Sequence, residues 1–204
     1  TNLRQLPDFK RRPSQKQSGT AARKAVRMII TANKAQTAYA QSCAEAMVSA
    51  ARTAPKTKGV DRIRTMILTG DDIGRLADKM EEISDRFDLP FFRRDAGCIN
   101  ASMAVVLIGV VDGPAGLEAA CGRCGAPDCT EAREGKRKCV FAGVDLGIAV
   151  GSAVSMAADM RVDTRVMFSA GRAAAEMGFT KERLTNILAI PISISGKSPF
   201  FDRG

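Results

Sequence analysis

The sequence predicts one α/β or α+β domain, and three observations support this prediction. The 204 residues are enough for a single domain with a sizeable core. Apolar residues make up 45% of the chain and charged residues 26%, which are ordinary values for a globular protein. Segments with helical periodicity alternate with short apolar runs, so the chain is expected to contain both helices and strands.

Four segments are predicted to be helical. The first begins at Thr20 and ends near Ala51, because Pro55 and Gly59 follow it. The others cover residues 71–87, 140–160 and 169–177. The segment 140–160 is rich in glycine and alanine, which permits close approach of another helix, a cofactor or a second subunit. This composition suggests a homodimer, and the alternative is a buried central helix.

Three apolar runs are predicted to be strands. Residues 65–69 form a short strand, and residues 103–111 are almost wholly apolar and β-branched. Such a run is typical of a central strand that is buried on both faces. Residues 184–194 form the last predicted strand. Pro191 places it at an edge of the sheet, because proline cannot donate a ladder hydrogen bond.

Most of the net charge of +9 lies near the N-terminus. Residues 1–27 contain eight Lys/Arg and one Asp, which gives +7. Residues 1–19 are interpreted as a basic flexible arm, and residues 20–204 as a single domain. Such an arm is suited to an acidic partner. Nucleic acid is not the expected partner, because no aromatic side chains for base stacking are interleaved with the charges.

Three absences limit the function. The chain contains no histidine, which excludes Ser-His-Asp and Cys-His nucleophile systems and HExxH zinc sites. No segment reaches the roughly 18 uninterrupted apolar residues of a membrane helix, so no membrane partner is expected. The N-terminal segment lacks the apolar core of a signal peptide, and a cytoplasmic protein is therefore predicted.

Four of the six cysteines are the strongest signal in the sequence. Cys121, Cys124, Cys129 and Cys139 have the spacing C-x2-C-x4-C-x9-C, inside a loop predicted over residues 112–139. Four thiolates without histidine are typical of zinc or an iron–sulfur cluster. A zinc site of this type usually has two C-x2-C pairs and this chain has one, so a [4Fe–4S] cluster is favoured. Zinc and redox disulfides remain alternatives.

Residues around the cysteines favour an anionic group. Gly122 and Gly125 allow backbone amides to approach the sulfur atoms. Cys139 precedes the helix 140–160, whose positive end faces that group. The basic residues 136–138 either offset the negative charge or simply solvate the loop. Cys43 is interpreted as a buried apolar residue, and Cys98 as a free thiol.

The chain resembles a family of prokaryotic proteins of unknown function that are described as containing a ferredoxin domain. The resemblance is carried by residues Cys121–Cys129, Gly143–Ser152 and Ile190–Arg203, with further matches at 50–56, 91–96 and 106–109. It extends over about residues 40–203 and implies an iron–sulfur cluster on the four cysteines.

The runs Ala50–Pro55 and Asp145–Gly147 resemble FMN-binding nitroreductases, which are homodimeric α+β proteins with flavin at the dimer interface. This resemblance implies a mixed sheet flanked by helices, into which the cysteine loop is inserted. It also implies that Arg52, Lys56 and Lys197 lie near an FMN phosphate or ring.

Two functions follow as hypotheses. The first is an iron–sulfur protein that transfers electrons to or from a redox partner protein or a small-molecule acceptor, or a flavin-dependent oxidoreductase. The second is a non-catalytic protein in which zinc or a cluster only stabilises the loop, while the basic arm binds an acidic partner. The substrate is not encoded in any of these patterns.

Overall fold

The structure, a computed structural model, describes residues 29–201. The helices are α1 (Ala32–Thr53), α2 (Asp71–Phe87), α3 (Pro90–Asn100), α4 (Cys129–Glu134), α5 (Val140–Asp159) and α6 (Phe168–Met177). The strands are β1 (Ile63–Leu68), β2 (Ala104–Val111), β3 (Asp163–Thr164) and β4 (Leu184–Ser193). This architecture confirms the α+β class. The predicted arm 1–19 and the helix start at Thr20 fall outside the described residues, so the division into arm and domain stays a prediction.

The four strands form one sheet in the order β1-β2-β4-β3, and their pairings are antiparallel. Strand β2 is central, and its residues 104–110 are buried. Val106, Ile108 and Val110 pack in a core with α1 and α5, whereas Val105 and Leu107 pack in a second core with α2, α3 and α6. The prediction of a strand buried on both faces is confirmed. Helices therefore cover both sides of the sheet.

Strand β4 is not an edge strand, so that prediction is wrong. It pairs with β2 on one side and with β3 on the other. Asp163 lies opposite Ser193, and Met167 lies opposite Ala189, with which it exchanges two backbone hydrogen bonds. Pro191 lies midway between Ala189 and Ser193, where the same ladder needs an N–H that proline lacks. The proline therefore interrupts the pairing with the β3 segment instead of placing β4 at the edge.

Helix α5 runs across the sheet beside α1. Its buried face includes Leu146, Ala149, Ala153 and Ala157, which pack in the core with α1 and β2. Among the described helices, α5 alone is long and apolar enough to cross a membrane by length and composition. One apolar face is already used in the core of the domain, and central helices of globular domains have this composition too.

Candidate metal centre

The cysteine loop leaves the sheet at the end of β2, as predicted. Its first residues, Asp112 and Gly113, follow Val111 directly. Arg62 donates from Nη1 to the carbonyl oxygen of Gly113 at 2.7 Å, and Lys58 donates from Nζ to that of Gly116 at 2.8 Å. The base of the loop is thus held by cations from the segment around the start of β1.

A buried carboxylate connects this anchor to α5. Asp145 is 2% exposed, and its Oδ1 accepts hydrogen bonds from the backbone N and the Oγ1 of Thr57, at 2.9 and 2.7 Å. Its Oδ2 lies 3.5 Å from Nη2 of Arg62, the same side chain that binds Gly113. Sequence analysis missed this role of Asp145, because its partners lie 83 and 88 residues away.

All four predicted ligands line one cavity of about 370 Å³, including its open mouth. Cys129 is buried, whereas the other three are partly exposed, and all four are free thiols. Cys129 is the first residue of α4, and Cys139 immediately precedes α5. The remaining wall is largely apolar and includes Pro114, Leu117, Ala126, Ala132, Val140 and Phe141. The structure therefore brings together the four cysteines that the spacing selected.

Local backbone geometry brings the cysteines to this cavity. Gly122 and Gly125 have φ values of +60° and +75°, in the left-handed region that favours glycine. The Oδ1 of Asp128 accepts hydrogen bonds from the backbone N–H groups of Thr130 and Glu131 at 2.8 and 2.9 Å. This cap fixes the start of α4 and with it the position of Cys129.

The donor set consists of four cysteines, which suit either zinc or an iron–sulfur cluster. Within residues 29–201, no three His, Cys, Asp or Glu side chains converge closely enough to hold one metal ion. Tetrahedral zinc requires four ligands at about 2.3 Å from one centre. In a [4Fe–4S] cluster each thiolate binds a different iron, so the sulfur atoms surround a larger group. Four cysteines around an apolar cavity are compatible with such a group.

The other two cysteines lie away from this cavity. Cys43 is 0% exposed in the core on α1, and burial raises the pKa of its thiol. Cys98 packs against the core on the other face of the sheet, where its Sγ donates to the carbonyl oxygen of Pro199 at 3.5 Å. Burial raises the pKa of this thiol as well, which disfavours the reactive thiolate.

The three predicted flavin contacts do not converge within one chain. Lys56 donates from Nζ to the carbonyl oxygens of Arg52 and Ala54 at 2.6 and 2.7 Å, and Arg52 pairs with Asp61 at 2.5 Å. These residues precede the start of β1, which pairs with the end of β2.

Lys197 follows the end of β4, which pairs with the beginning of β2. The two ends of β2 are roughly 20 Å apart, at about 3.4 Å per residue. Arg52 and Lys56 therefore lie at one end of the sheet, and Lys197 follows a strand that ends at the other.

Known structures define the class of fold. A nitroreductase with bound FMN from Desulfitobacterium hafniense matches with a TM-score of 0.52 and 13% identity, over 76% of this chain and 78% of that one. The hypothetical oxidoreductase YcnD from Bacillus subtilis has a TM-score of 0.50 and 11% identity, and nitroreductase A from Vibrio parahaemolyticus has 0.50 and 10%. Each of these two matches covers 78% of this chain, which spans 59% and 60% of their respective lengths. The fold is nitroreductase-like.

Sequence comparison defines the family. Residues 136–203 match the family described as uncharacterized protein containing a ferredoxin domain. An uncharacterized protein from Archaeoglobus fulgidus is 36% identical over 165 residues, which cover 77% of this chain and 88% of that protein. The chain belongs to this family of ferredoxin-domain proteins. The matched segment includes Cys139, and the other three cysteines precede it.

Proposed function

We propose that this protein transfers electrons through a [4Fe–4S] cluster held by Cys121, Cys124, Cys129 and Cys139. The observation that carries the proposal is the convergence of these four free thiols on one largely apolar cavity. Such a cluster supplies one-electron chemistry when it is bound. Membership in a ferredoxin-domain family supports the same function.

The chain itself contributes three things to this site. Apolar side chains such as Leu117 and Phe141 limit the access of water to the cavity. The N-terminal end of α5 follows Cys139, so the positive end of the helix dipole lies beside an anionic group. The bonds from Lys58 and Arg62 fix the base of the loop against the sheet. Each of these contributions is made by residues that do not ligate the cluster.

The test is an anaerobic purification followed by assays of iron, sulfide, zinc and flavin on the same sample. We expect iron and sulfide in equal amounts, with four of each per chain, and a broad thiolate-to-iron absorbance. Replacement of each of the four cysteines by serine should reduce this absorbance. Cys98→Ser is the matched control and should retain it. A colourless protein with one zinc per chain would refute the cluster and make the loop a structural zinc site.

We also propose that the protein is a homodimer that binds FMN between its two subunits. Within one chain, Arg52 and Lys56 lie at one end of the sheet, whereas Lys197 follows β4, which ends at the opposite end. A site that contains all three residues would therefore use two copies of the chain. The exposed face of α5 supports dimerisation. It carries Val144 and Ile148, which are 44% and 41% exposed, beside three glycines at intervals of four residues, Gly143, Gly147 and Gly151.

Sedimentation measurements on the purified protein test this second proposal together with the flavin assay. We expect a dimer that copurifies with one FMN per chain, and Ile148→Asp should give a monomer without flavin. Phe87→Asp is the matched control, because this side chain is also apolar and exposed (53%) but lies on α2, which packs in the core on the other face of the sheet. A wild-type monomer that binds FMN would refute the two-subunit site. Flavin bound together with the cluster would identify an oxidoreductase rather than a simple carrier.

A further inference from the structure

A second concavity lies beside the cysteine cavity and differs from it in charge. We call it the basic cleft, and it measures about 770 Å³ including its opening. Its charged lining consists of Asp112, Arg133, Lys136, Arg137, Lys138 and Arg183. Pro114 and Ala132 belong to the walls of both the basic cleft and the cysteine cavity. The basic cleft and the cysteine cavity therefore share part of one wall.

The cations of the basic cleft are in excess over nearby acids. Lys138 and Arg183 both approach Oδ2 of Asp112, at 3.0 and 3.5 Å. Arg133, Lys136 and Arg137 form no ion pair with any acidic side chain among residues 29–201. The lining of the cleft thus includes three cations without an ion pair among the described residues.

Only some surface cations elsewhere among the described residues are paired. Arg64 pairs with Glu182, and Arg86 pairs with Glu176 at 2.6 Å, whereas Lys34 and Arg161 form no ion pair among residues 29–201. The basic cleft differs because it places three cations without an ion pair in one concavity, beside the cavity that the four cysteines line.

We infer that the basic cleft docks an acidic protein surface, which belongs to the electron-transfer partner of this protein; this inference rests on the proposed function. Redox partners form small, transient interfaces, and complementary charge raises their rate of encounter. Docking at this cleft would bring a partner's redox group beside the shared wall of the cysteine cavity.

The chemistry of the cleft favours a protein over a smaller polyanion or nucleic acid. The side chains of Arg183 and Lys138 are 83% and 55% exposed, whereas that of Asp112 is 28% exposed. Surface carboxylates of a protein reach such exposed cations without entering the cleft. The lining also contains no aromatic side chain on which nucleic-acid bases would stack.

The test compares two double charge reversals in the full-length protein. Arg133→Glu with Lys136→Glu changes the basic cleft, and neither side chain lines the cysteine cavity. Lys34→Glu with Arg161→Glu is the matched control, with the same change in net charge. These two residues lie near the far end of α5, because Tyr39 of α1 bonds to Met160. The 20-residue helix α5 places that end about 30 Å from Cys139.

The probe is a fluorescent decaglutamate peptide, and its binding is measured by anisotropy at about 0.01 M and at about 1 M salt, where the screening length is about 3 Å. We expect binding at low salt that is lost at high salt. The cleft variant should bind about tenfold more weakly than wild type, and the control about as well as wild type. Circular dichroism confirms folding, and the corresponding double Gln variant replaces the Glu variant if the latter does not fold.

Two results would overturn the inference. One is equal affinity of the cleft variant and the control, whether or not both are weakened, which would mean that the peptide binds by net charge or at the basic segment 1–27 and not at the cleft. The other is that an oligothymidylate of equal charge binds more tightly than the peptide and loses this binding in the cleft variant. That result would identify a general polyanion site. Peptide binding does not depend on iron. Cleft-dependent binding by a protein without iron would therefore refute the proposed function and retain the basic cleft as a docking site for acidic surfaces.

Discussion

Removal of the Asp145 carboxylate should strongly destabilise the domain. Asp145→Ala deletes the acceptor of two hydrogen bonds from Thr57 and leaves Arg62, whose side chain is 13% exposed, without its acidic partner. Breaking a buried ion pair by removing one member typically costs about 3–5 kcal/mol, because the remaining charge stays desolvated. Asp145→Asn keeps the shape and one acceptor, so its cost should be about 1–3 kcal/mol.

Urea unfolding followed by circular dichroism measures these costs. With a slope of about 2 kcal/mol per molar urea, Asp145→Ala should lower the unfolding midpoint by about 2 M. Ser152→Ala is a control on the same helix, because it removes one neutral hydrogen bond to the carbonyl oxygen of Ala50 at 2.9 Å. That loss should cost about 1 kcal/mol.

Two outcomes would contradict this reasoning. The first is a cost for Asp145→Ala that does not exceed the cost for Ser152→Ala. The second concerns the double variant Asp145→Ala with Arg62→Met, which removes the stranded charge and should be more stable than Asp145→Ala alone. Equal stability of the two variants would show that desolvation of Arg62 is not the source of the cost.

Two further predictions concern packing and pH. Gly171→Ala should destabilise by about 3 kcal/mol or prevent folding, because its Cβ would lie 1.9 Å from the carbonyl oxygen of Ile187. Gly74→Ala, whose Cβ meets nothing within 4 Å, should stabilise α2 by about 0.5–1 kcal/mol in the same unfolding assay, and the opposite order would refute the packing. Arg86 lowers the pKa of Glu176 in the folded state, so Glu176→Gln should be less stable than wild type at neutral pH. That difference should begin to decrease near the ordinary pKa of about 4.3 and should be lost as the pH falls through the lower pKa of the folded state, and a constant difference would exclude the charge as its cause.

Patterns within one segment predicted much of the fold. The apolar run 103–111 identified the central strand, because a strand buried on both faces has no alternation of polar residues. The cysteine spacing identified the four cysteines that line the cavity, since all four lie within nineteen residues of the sequence. Helix α3 (Pro90–Asn100) was missed. It follows α2 after a break of only two residues, and Asp88 in that break has a φ of +54°.

Contacts between distant segments were not predictable in the same way. Asp145 resembles any polar residue on an otherwise apolar helix until Thr57 and Arg62 are placed beside it. The error at Pro191 has the same origin. A proline excludes one hydrogen bond, but only the register with the β3 segment shows which neighbour loses it. The basic cleft likewise combines residues 112–114 and 132–138 with Arg183, which are far apart in the sequence.

The base of the cysteine loop is held by cations of the domain and not by the cysteines. Lys58 and Arg62 bind the carbonyl oxygens of Gly116 and Gly113, and Lys138 pairs with Asp112. The two hydrophobic cores on either side of the sheet are formed almost entirely by residues outside the loop. The fold should therefore form without the metal centre, in contrast to small zinc domains that unfold when the metal is removed.

Removal of the metal centre tests this division of roles. We expect that protein stripped of metal by an anaerobic chelator keeps its far-ultraviolet circular dichroism and a cooperative urea transition. The double variant Cys124→Ser with Cys129→Ser should behave in the same way without chelator, which controls for damage caused by stripping. Loss of the cooperative transition in both samples would show that the centre is required for folding. In that case the four cysteines would support the fold of the domain as well as hold the metal centre, and the cations at the base of the loop would not be sufficient to keep the domain folded.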